Sequence, residues 1–301
     1  MTVQRAAVQR ASWRQRARDP GWGLLFVLPM LVLFVIFRFV PSLGAVGMSL
    51  TDYRLSGDFS FVGADNYVRL FEDDLFFHSL RVTLLYAAIC VPLALVVALG
   101  TATLLHHVVR GQSVFRGLLF LPYVTSFVMA GIIWTWIYES DGLINGLLEK
   151  LGVGPVPFLT GNQAMVLASL AVVSVWKSFG YSMLILVAGL KNIPEDIVEA
   201  AKLDGAGPCS RFWRITIPLL RPVIFFVLVI ETIAAFQVFD TIYVMTGGGP
   251  ARASYGLVYM LYDQGFKFFD FGYAATVGVV LFLVVFLISL VQRYVLDREK
   301  T

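Results

Sequence analysis

Long uncharged runs alternate with shorter polar ones along this chain. Six of the runs are apolar over about 20 residues, the length that a helix rising 1.5 Å per residue needs to cross a hydrocarbon layer about 30 Å thick. They lie at approximately Trp22–Val40, Leu80–Leu105, Gly117–Tyr138, Gln163–Leu190, Ile217–Phe239 and Gly272–Tyr294. None shows the strict alternation of a barrel strand, and lipid offers no partner for a free backbone amide. The pattern therefore predicts an all-α integral membrane bundle of six transmembrane helices. Pro29, Pro92 and Pro122 fall inside runs and predict kinks rather than ends, because neighbouring helices can satisfy a carbonyl that a proline frees. No repeat or linker separates a soluble unit. The chain reads as one membrane domain, 22–294, between a basic arm, 1–21, and a tail, 295–301. The longest polar pieces are Pro41–Ser79, Glu139–Asn162, Lys191–Thr216 and Asp240–Phe271.

Composition agrees with position. Only 14% of the residues are charged and 58% are apolar, whereas a soluble domain carries roughly a quarter charged residues. A net charge of +3 without a basic, aromatic-interleaved stripe excludes nucleic acid as a partner. Cys90 lies in an apolar run and Cys209 in a polar loop, so no disulfide framework is expected. The Arg-rich start from Arg5 to Arg18 resembles a secretory signal, but the run after it continues past Arg38 to Val40 and has no small-x-small cleavage site. It is read as a first anchor behind a cytoplasmic arm.

Orientation follows from lysine and arginine, which insertion keeps on the cytoplasmic side. Arg5, Arg10, Arg14, Arg16, Arg18, Arg110, Arg116, Lys191, Lys202, Arg211, Arg214, Arg293, Arg298 and Lys300 outnumber Arg54, Arg69, Lys150, Arg252 and Lys267 on the other side. Both termini are expected in the cytoplasm.

The polar segment from Lys191 to Pro208 has the grammar of a short exposed helix. Asn192 or Ile193 suits the cap, Pro194 the first turn, and Glu195 with Asp196 the positive end of the helix dipole. Asp204-Gly205 suits the stop, since glycine tolerates the left-handed turn that ends many helices. Ile197, Val198, Ala201 and Leu203 give this helix an apolar side outside the membrane, which calls for a cover: headgroups, the chain's own bundle, or another protein.

Glu199-Ala200-Ala201, then Gly205, then Ile215, Ile217 and Pro218 resemble the EAA loop of permease subunits in binding-protein-dependent ABC importers. The family pattern has leucine where Ile217 stands. The resemblance implies a type I ABC importer permease fold, and it makes Glu199, Ala200, Ala201, Asp204, Gly205 and Ala206 the contact with a separate ATPase. No Gly-x-x-x-x-Gly-Lys-Ser/Thr loop occurs, so the chain is expected to bind no cofactor; ATP and magnesium would be used by the ATPase subunits. Phe239-Asp240, Tyr243, Thr246 to Pro250, Phe266 and Gly272-Tyr273-Ala274-Ala275 are similar to the last third of the sugar-class permeases related to the maltose and glycerol-phosphate transporters. Phe61-Val62-Gly63, Asn66-Tyr67 and Leu121-Pro122-Tyr123 resemble the same group. The glycine-rich turn Gly247, Gly248, Gly249, Pro250 resembles that of the first of two unlike permeases. This implies a heterodimer, two ATPase copies and an external binding protein or lipoprotein docking on the loops, in a bacterial inner membrane. Read by itself, that turn is a tight external loop.

Ionisable groups inside a membrane are costly, so Lys177 and Glu231 mark either a solute path or a pair that fixes packing. Trp176 and Tyr181 offer rings that suit a sugar face or simple packing. By position, the resemblance makes Ser174, Trp176, Ser178 and Tyr181, with Glu231, Ala235, Gln237 and Val238, the lining of a sugar path. Arg38 reads as a snorkelling anchor, and His78, His106 and His107 as boundary residues without metal-ligand company. No nucleophile, base and oxyanion set is present. The resemblance implies a non-catalytic permease for a sugar or sugar-like solute, with a glycerol-phosphate compound as the alternative cargo. The rival from another class is an ion-coupled secondary transporter using Lys177 and Glu231 as a relay.

Overall fold

The computed structural model describes residues 20–54, 60–106 and 111–298. The arm with Arg5 to Arg18, together with Asp58, His107, Arg110 and Lys300, lies outside the described residues. Among the described residues the regular structure is helical, and the strand-type pairings are two isolated bridges, Thr51 to Phe61 and Arg54 to Asp270.

The elements are α1 (Pro20–Phe34), α2 (Val40–Met48), α3 (Asp65–Glu72), α4 (Asp74–His106), α5 (Gln112–Val124), α6 (Phe127–Tyr138), α7 (Leu143–Lys150), α8 (Gln163–Lys191), α9 (Glu195–Leu203), α10 (Pro208–Arg211), α11 (Ile217–Phe236), α12 (Asp240–Met245), α13 (Leu257–Tyr262) and α14 (Phe271–Arg298). Single π turns join α1 to α2 and α10 to α11. Five helices, Gly23–Met48, Asp74–His106, Gln163–Lys191, Pro208–Phe236 and Phe271–Val295, are long and apolar enough to cross a membrane. A sixth crossing is divided. Gln112–Val124 and Phe127–Lys150 meet at 93°, where the apolar pattern predicts one helix from Gly117 to Tyr138. Thr125 and Ser126 are both extended, and the Thr125 hydroxyl donates to the Pro122 carbonyl at 2.7 Å. Local side-chain bonding of this kind competes with the helix ladder.

The helices also outrun the apolar runs at their outer ends. The first continues past Pro41 to Met48, and α4 begins at Asp74, ahead of Leu80. Lipid fixes how many residues must be apolar, not where the helix stops.

The bundle is centred on α4 and α8. Ala94, Ala98 and Ala102 form a fully buried stripe one turn apart on α4, and against it pack Met183, Leu186, Val187 and Leu190 of α8. Small residues let membrane helices approach closely where no water drives them together. Gly189 does the same for α8 against α11: a Cβ there would lie 2.7 Å from Leu220 Cδ1. α14 packs on α11 and on the end of α2, where Ala45 and Met48 are half-buried, whereas residues 23–44 of the first span are exposed.

The end of the bundle opposite α9 is clasped by polar contacts between the first loop and the start of α14. Asn66 donates to the carbonyls of Ser49 and Thr51, Arg69 pairs with Asp270 at 2.8 Å while lying 3.9 Å over the Tyr273 ring, and the Tyr273 hydroxyl donates to Asp73 at 2.6 Å.

Candidate functional site

Three groups of residues lie along one axis through α8. At its C-terminal end Lys191 leads through Asn192 and Ile193 to Pro194 and α9. Neither Asn192 nor Ile193 caps that helix. Pro194 is itself the residue before the first turn, with ψ 131°, and Glu195 and Asp196 fill the first turn. The far end closes as the sequence predicts. Gly205 adopts φ +79°, its amide donates to Lys202 O at 3.1 Å, and the Ala206 amide reaches back to Ala201 O at 2.9 Å. This is the paired closure of a Schellman motif, which satisfies carbonyls a helix end leaves free.

The apolar side of α9 is split. Ala201 is buried and Val198 half-buried, whereas Ile197 and Leu203 are exposed, Leu203 by 90%. Glu199, Ala200, Asp204 and Gly205 share the exposed side. Between α9 and the bundle lies an open cavity of about 900 Å³ whose lining includes His106, Gln112, Lys191, Glu199, Lys202 and Arg211. α10 starts at Pro208 and runs through its π turn into α11 without a stop at Pro218.

In mid-bundle, Ser174, Ser178 and Ser182 lie four residues apart on α8 and so on one face. Tyr86 of α4 donates to Ser174 Oγ at 2.7 Å, while Ser178 and Ser182 donate to the two oxygens of Glu231 on α11 at 3.3 and 2.5 Å. Ala235 is buried one turn further on. Lys177 points elsewhere. Its ammonium donates to the carbonyls of Tyr123 and Thr125 at the break between α5 and α6. Lys177 and Glu231 thus do not pair with each other. Tyr181 stacks on Tyr123 with ring centroids 4.9 Å apart, and Trp176 meets Trp134 edge-on at 5.6 Å, so these two aromatics face different neighbours. Gln237, just past α11, is exposed, and Val238 is half-buried. Tyr86, Tyr123 and Ser182 were not among the candidate path residues read from the sequence, where Tyr123 entered only with Leu121 and Pro122 as part of the family resemblance. Ser182 continues the four-residue spacing of Ser174 and Ser178 and was readable from it; the other two carry no local signal.

Near the N-terminal end of α8, Gly247 and Gly248 adopt positive φ, and a Cβ on Gly248 would come within 3.0 Å of the Tyr255 ring. Ser254 Oγ donates to Gly249 O at 2.8 Å and bonds Thr246 Oγ1 at 2.8 Å, drawing the turn closed. Beside it is a cavity of about 600 Å³ lined by Tyr138, Glu139, Phe158, Thr246, Gly249 and Pro250 among others. Lys267 pairs with Asp263 at 2.7 Å, which holds its ammonium above the usual lysine range. Burial, and then its bond to the same carboxylate, push the Tyr255 hydroxyl well up. Among the described residues no three histidine, cysteine or acidic side chains are grouped to hold a metal.

Residues 90–301 match the family described as "Binding-protein-dependent transport system inner membrane component". The chain is 37% identical over 280 residues to the sn-glycerol-3-phosphate transport system permease protein UgpA of Yersinia pestis bv. Antiqua, covering 91% of this chain and 94% of that protein. It is also 37% identical over 282 residues to the probable ABC transporter permease protein YesP of Bacillus subtilis, covering 92% and 91%. Its fold is similar to that of a chain in the crystal structure of a bacterial alginate ABC transporter in complex with an alginate pentasaccharide-bound periplasmic protein, with a TM-score of 0.80 at 23% identity over 95% of this chain and 97% of that one. With its helical bundle, its exposed α9 and a match over two thirds of its length, the chain belongs to the family of inner membrane components of binding-protein-dependent transport systems, as a permease.

Proposed function

We propose that this permease passes a sugar or sugar-like solute into the cytoplasm and is driven by separate ATPase subunits that grip α9. The observation that carries this reading is the uncovered apolar edge of α9, where Ile197 and Leu203 stand in water beside a rigidly closed helix end. Exposed leucine at a polar helix end is stabilised by a partner's groove. Glu199, Ala200, Asp204, Gly205 and Ala206 are the proposed contact, whereas Ala201, expected beside them, is buried within this chain. ATP and magnesium belong to that partner, and this chain is a non-catalytic subunit. A second, unlike permease completes the pathway, and two ATPase copies serve the pair. An external binding protein or lipoprotein docks beside Gly247–Pro250, where the 600 Å³ cavity offers a seat. Both termini face the cytoplasm of a bacterial cell whose inner membrane holds the complex.

The solute path is proposed to follow the hydroxyl face of α8 and the carboxylate of Glu231, a set suited to exchanging hydrogen bonds with a polyhydroxyl cargo. A glycerol-phosphate compound is the second cargo reading, favoured by the relatives named for that solute. Separate partners for Lys177 and Glu231 speak against an ion relay between them. Purifying the tagged chain from its native membrane tests the assembly. A second permease and two ATPase copies are expected to accompany it, and a chain that purifies alone would overturn the reading.

A further inference from the structure

The break between α5 and α6 leaves carbonyls at the end of α5 with no helical amide to meet them. In hydrocarbon each such group is costly unless it is satisfied, because no water can take the missing bond. Lys177 supplies the partner. It is 1% exposed, its Nζ donates to Tyr123 O at 2.9 Å and to Thr125 O, and it lies 4.4 Å from the centroid of the Phe127 ring, the first residue of α6. A cation at the C-terminal end of a half-helix also meets the negative end of its dipole. Two further contacts hold the same place. The Tyr123 ring stacks on Tyr181, one turn from Lys177, and Gly180 lets α5 come so close that a Cβ there would lie 2.3 Å from Leu119 O. The tip of α5 and the start of α6 are therefore fixed to one turn of α8.

That turn sits on an unbroken helix that runs on to Lys191 and the loop into α9. On its outer side α6 packs on α12, with Gly131 against Val244 and Met245, and α12 leads directly into the turn at Gly247–Pro250. A divided crossing has a free joint unless something locks it. We propose that Lys177 is that lock: it makes α6 move as one body with α8, so that displacement begun at α9 reaches the external glycine-rich turn. This rests on the reading of α9 as the ATPase contact. Lys177 is here a positioning residue for transport, not a ligand of the solute.

The test uses the whole complex in nanodiscs, with spin labels on exposed Ile132 of α6, Val172 of α8 and Phe282 of α14, taken in pairs, and with exposed Cys209 replaced by serine. Distances are measured without nucleotide and after trapping with ATP and vanadate. In the wild-type lysine background the 132–172 distance is expected to stay fixed while 132–282 and 172–282 shift together. Lys177→Met is expected to keep the 172–282 shift, lose the 132–282 shift and broaden 132–172, and Lys177→Arg to restore the wild-type pattern. A 132–172 distance that changes with nucleotide in the wild-type background overturns the inference without any variant, as does a Lys177→Met complex with the wild-type pattern. Failure of the coupling reading looks different: no ATPase in the preparation, or no nucleotide-dependent shift at 172–282 in the wild type.

Discussion

Gly205→Ala isolates the closing turn of α9 from everything around it. The glycine sits at φ +79°, and a Cβ built there meets nothing within 4 Å, so no clash contributes. What remains is the backbone cost of placing an L residue in the left-handed region, about 1–2 kcal/mol. That cost is set against the two bonds closing the helix, Gly205 N to Lys202 O and Ala206 N to Ala201 O. A loss of about 1–2 kcal/mol changes a population ratio by roughly 5–30-fold. Apparent affinity scales with the populated fraction of the binding-competent form, so the Kd of the ATPase for the nanodisc-embedded permease is expected to rise by up to that factor. Gly207→Ala is the control. Its site is equally open, but Gly207 lies at φ −65° and ψ 164°, which any residue adopts, so its Kd is expected to stay at the wild-type value. Gly205→Pro should do more harm than Gly205→Ala, because it also removes the amide that bonds Lys202 and cannot reach positive φ. Surface-immobilised permease titrated with ATPase gives all four constants. Equal constants for Gly205→Ala and Gly207→Ala would refute the claim that the left-handed closure presents α9.

Gly180→Ala forces a Cβ to 2.3 Å from Leu119 O, so α5 and α8 must separate. A fall in the detergent melting temperature is expected, whereas Gly146→Ala in α7 has open space and should hold or raise it by up to about 1 kcal/mol in stability; a nanoDSF comparison decides. Glu231→Ala leaves the Ser178 and Ser182 hydroxyls without their acceptor, at about 1–3 kcal/mol for an orphaned buried group, and should abolish uptake more thoroughly than Glu231→Gln, which keeps an oxygen in place; wild-type uptake in both variants would remove Glu231 from the path. Arg69→Ala strips Asp270 of its 2.8 Å partner and leaves Arg54 at 3.7 Å as its cation among the described residues, beside the Tyr273 amide. Trypsin is therefore expected to cut faster after Arg54, its remaining site in the loop from Pro41 to Ser79, with cleavage inside the bundle unchanged.

The parts of this protein that were legible in its sequence are those whose partners lie nearby in the chain. α9 was readable because Pro194, the two acids after it and Gly205 act within a few residues of the bonds they serve, and the Ala206-to-Ala201 closure spans only five. Its cap was misplaced by one or two residues for the same local reason, since proline suits several positions at a helix start. Five crossings were legible because lipid imposes apolarity along their length, though their outer ends were not, as Asp74 opens α4 from water and hydrocarbon has no claim on it. The third crossing shows the limit. Its run from Gly117 to Tyr138 is as apolar as the others, and the groups that stabilise its break lie in another helix, 52 and 54 residues away. Read alone, Pro122 predicts a kink, and Lys177 predicts a solute contact or an acidic partner such as Glu231. Read together, they answer each other: Pro122 followed by Thr125 and Ser126 marks carbonyls with no amide to meet them, and a lone lysine in a neighbouring run is a donor with no acceptor. A buried lysine in such a bundle is thus a question about where another helix is broken, before it is one about cargo.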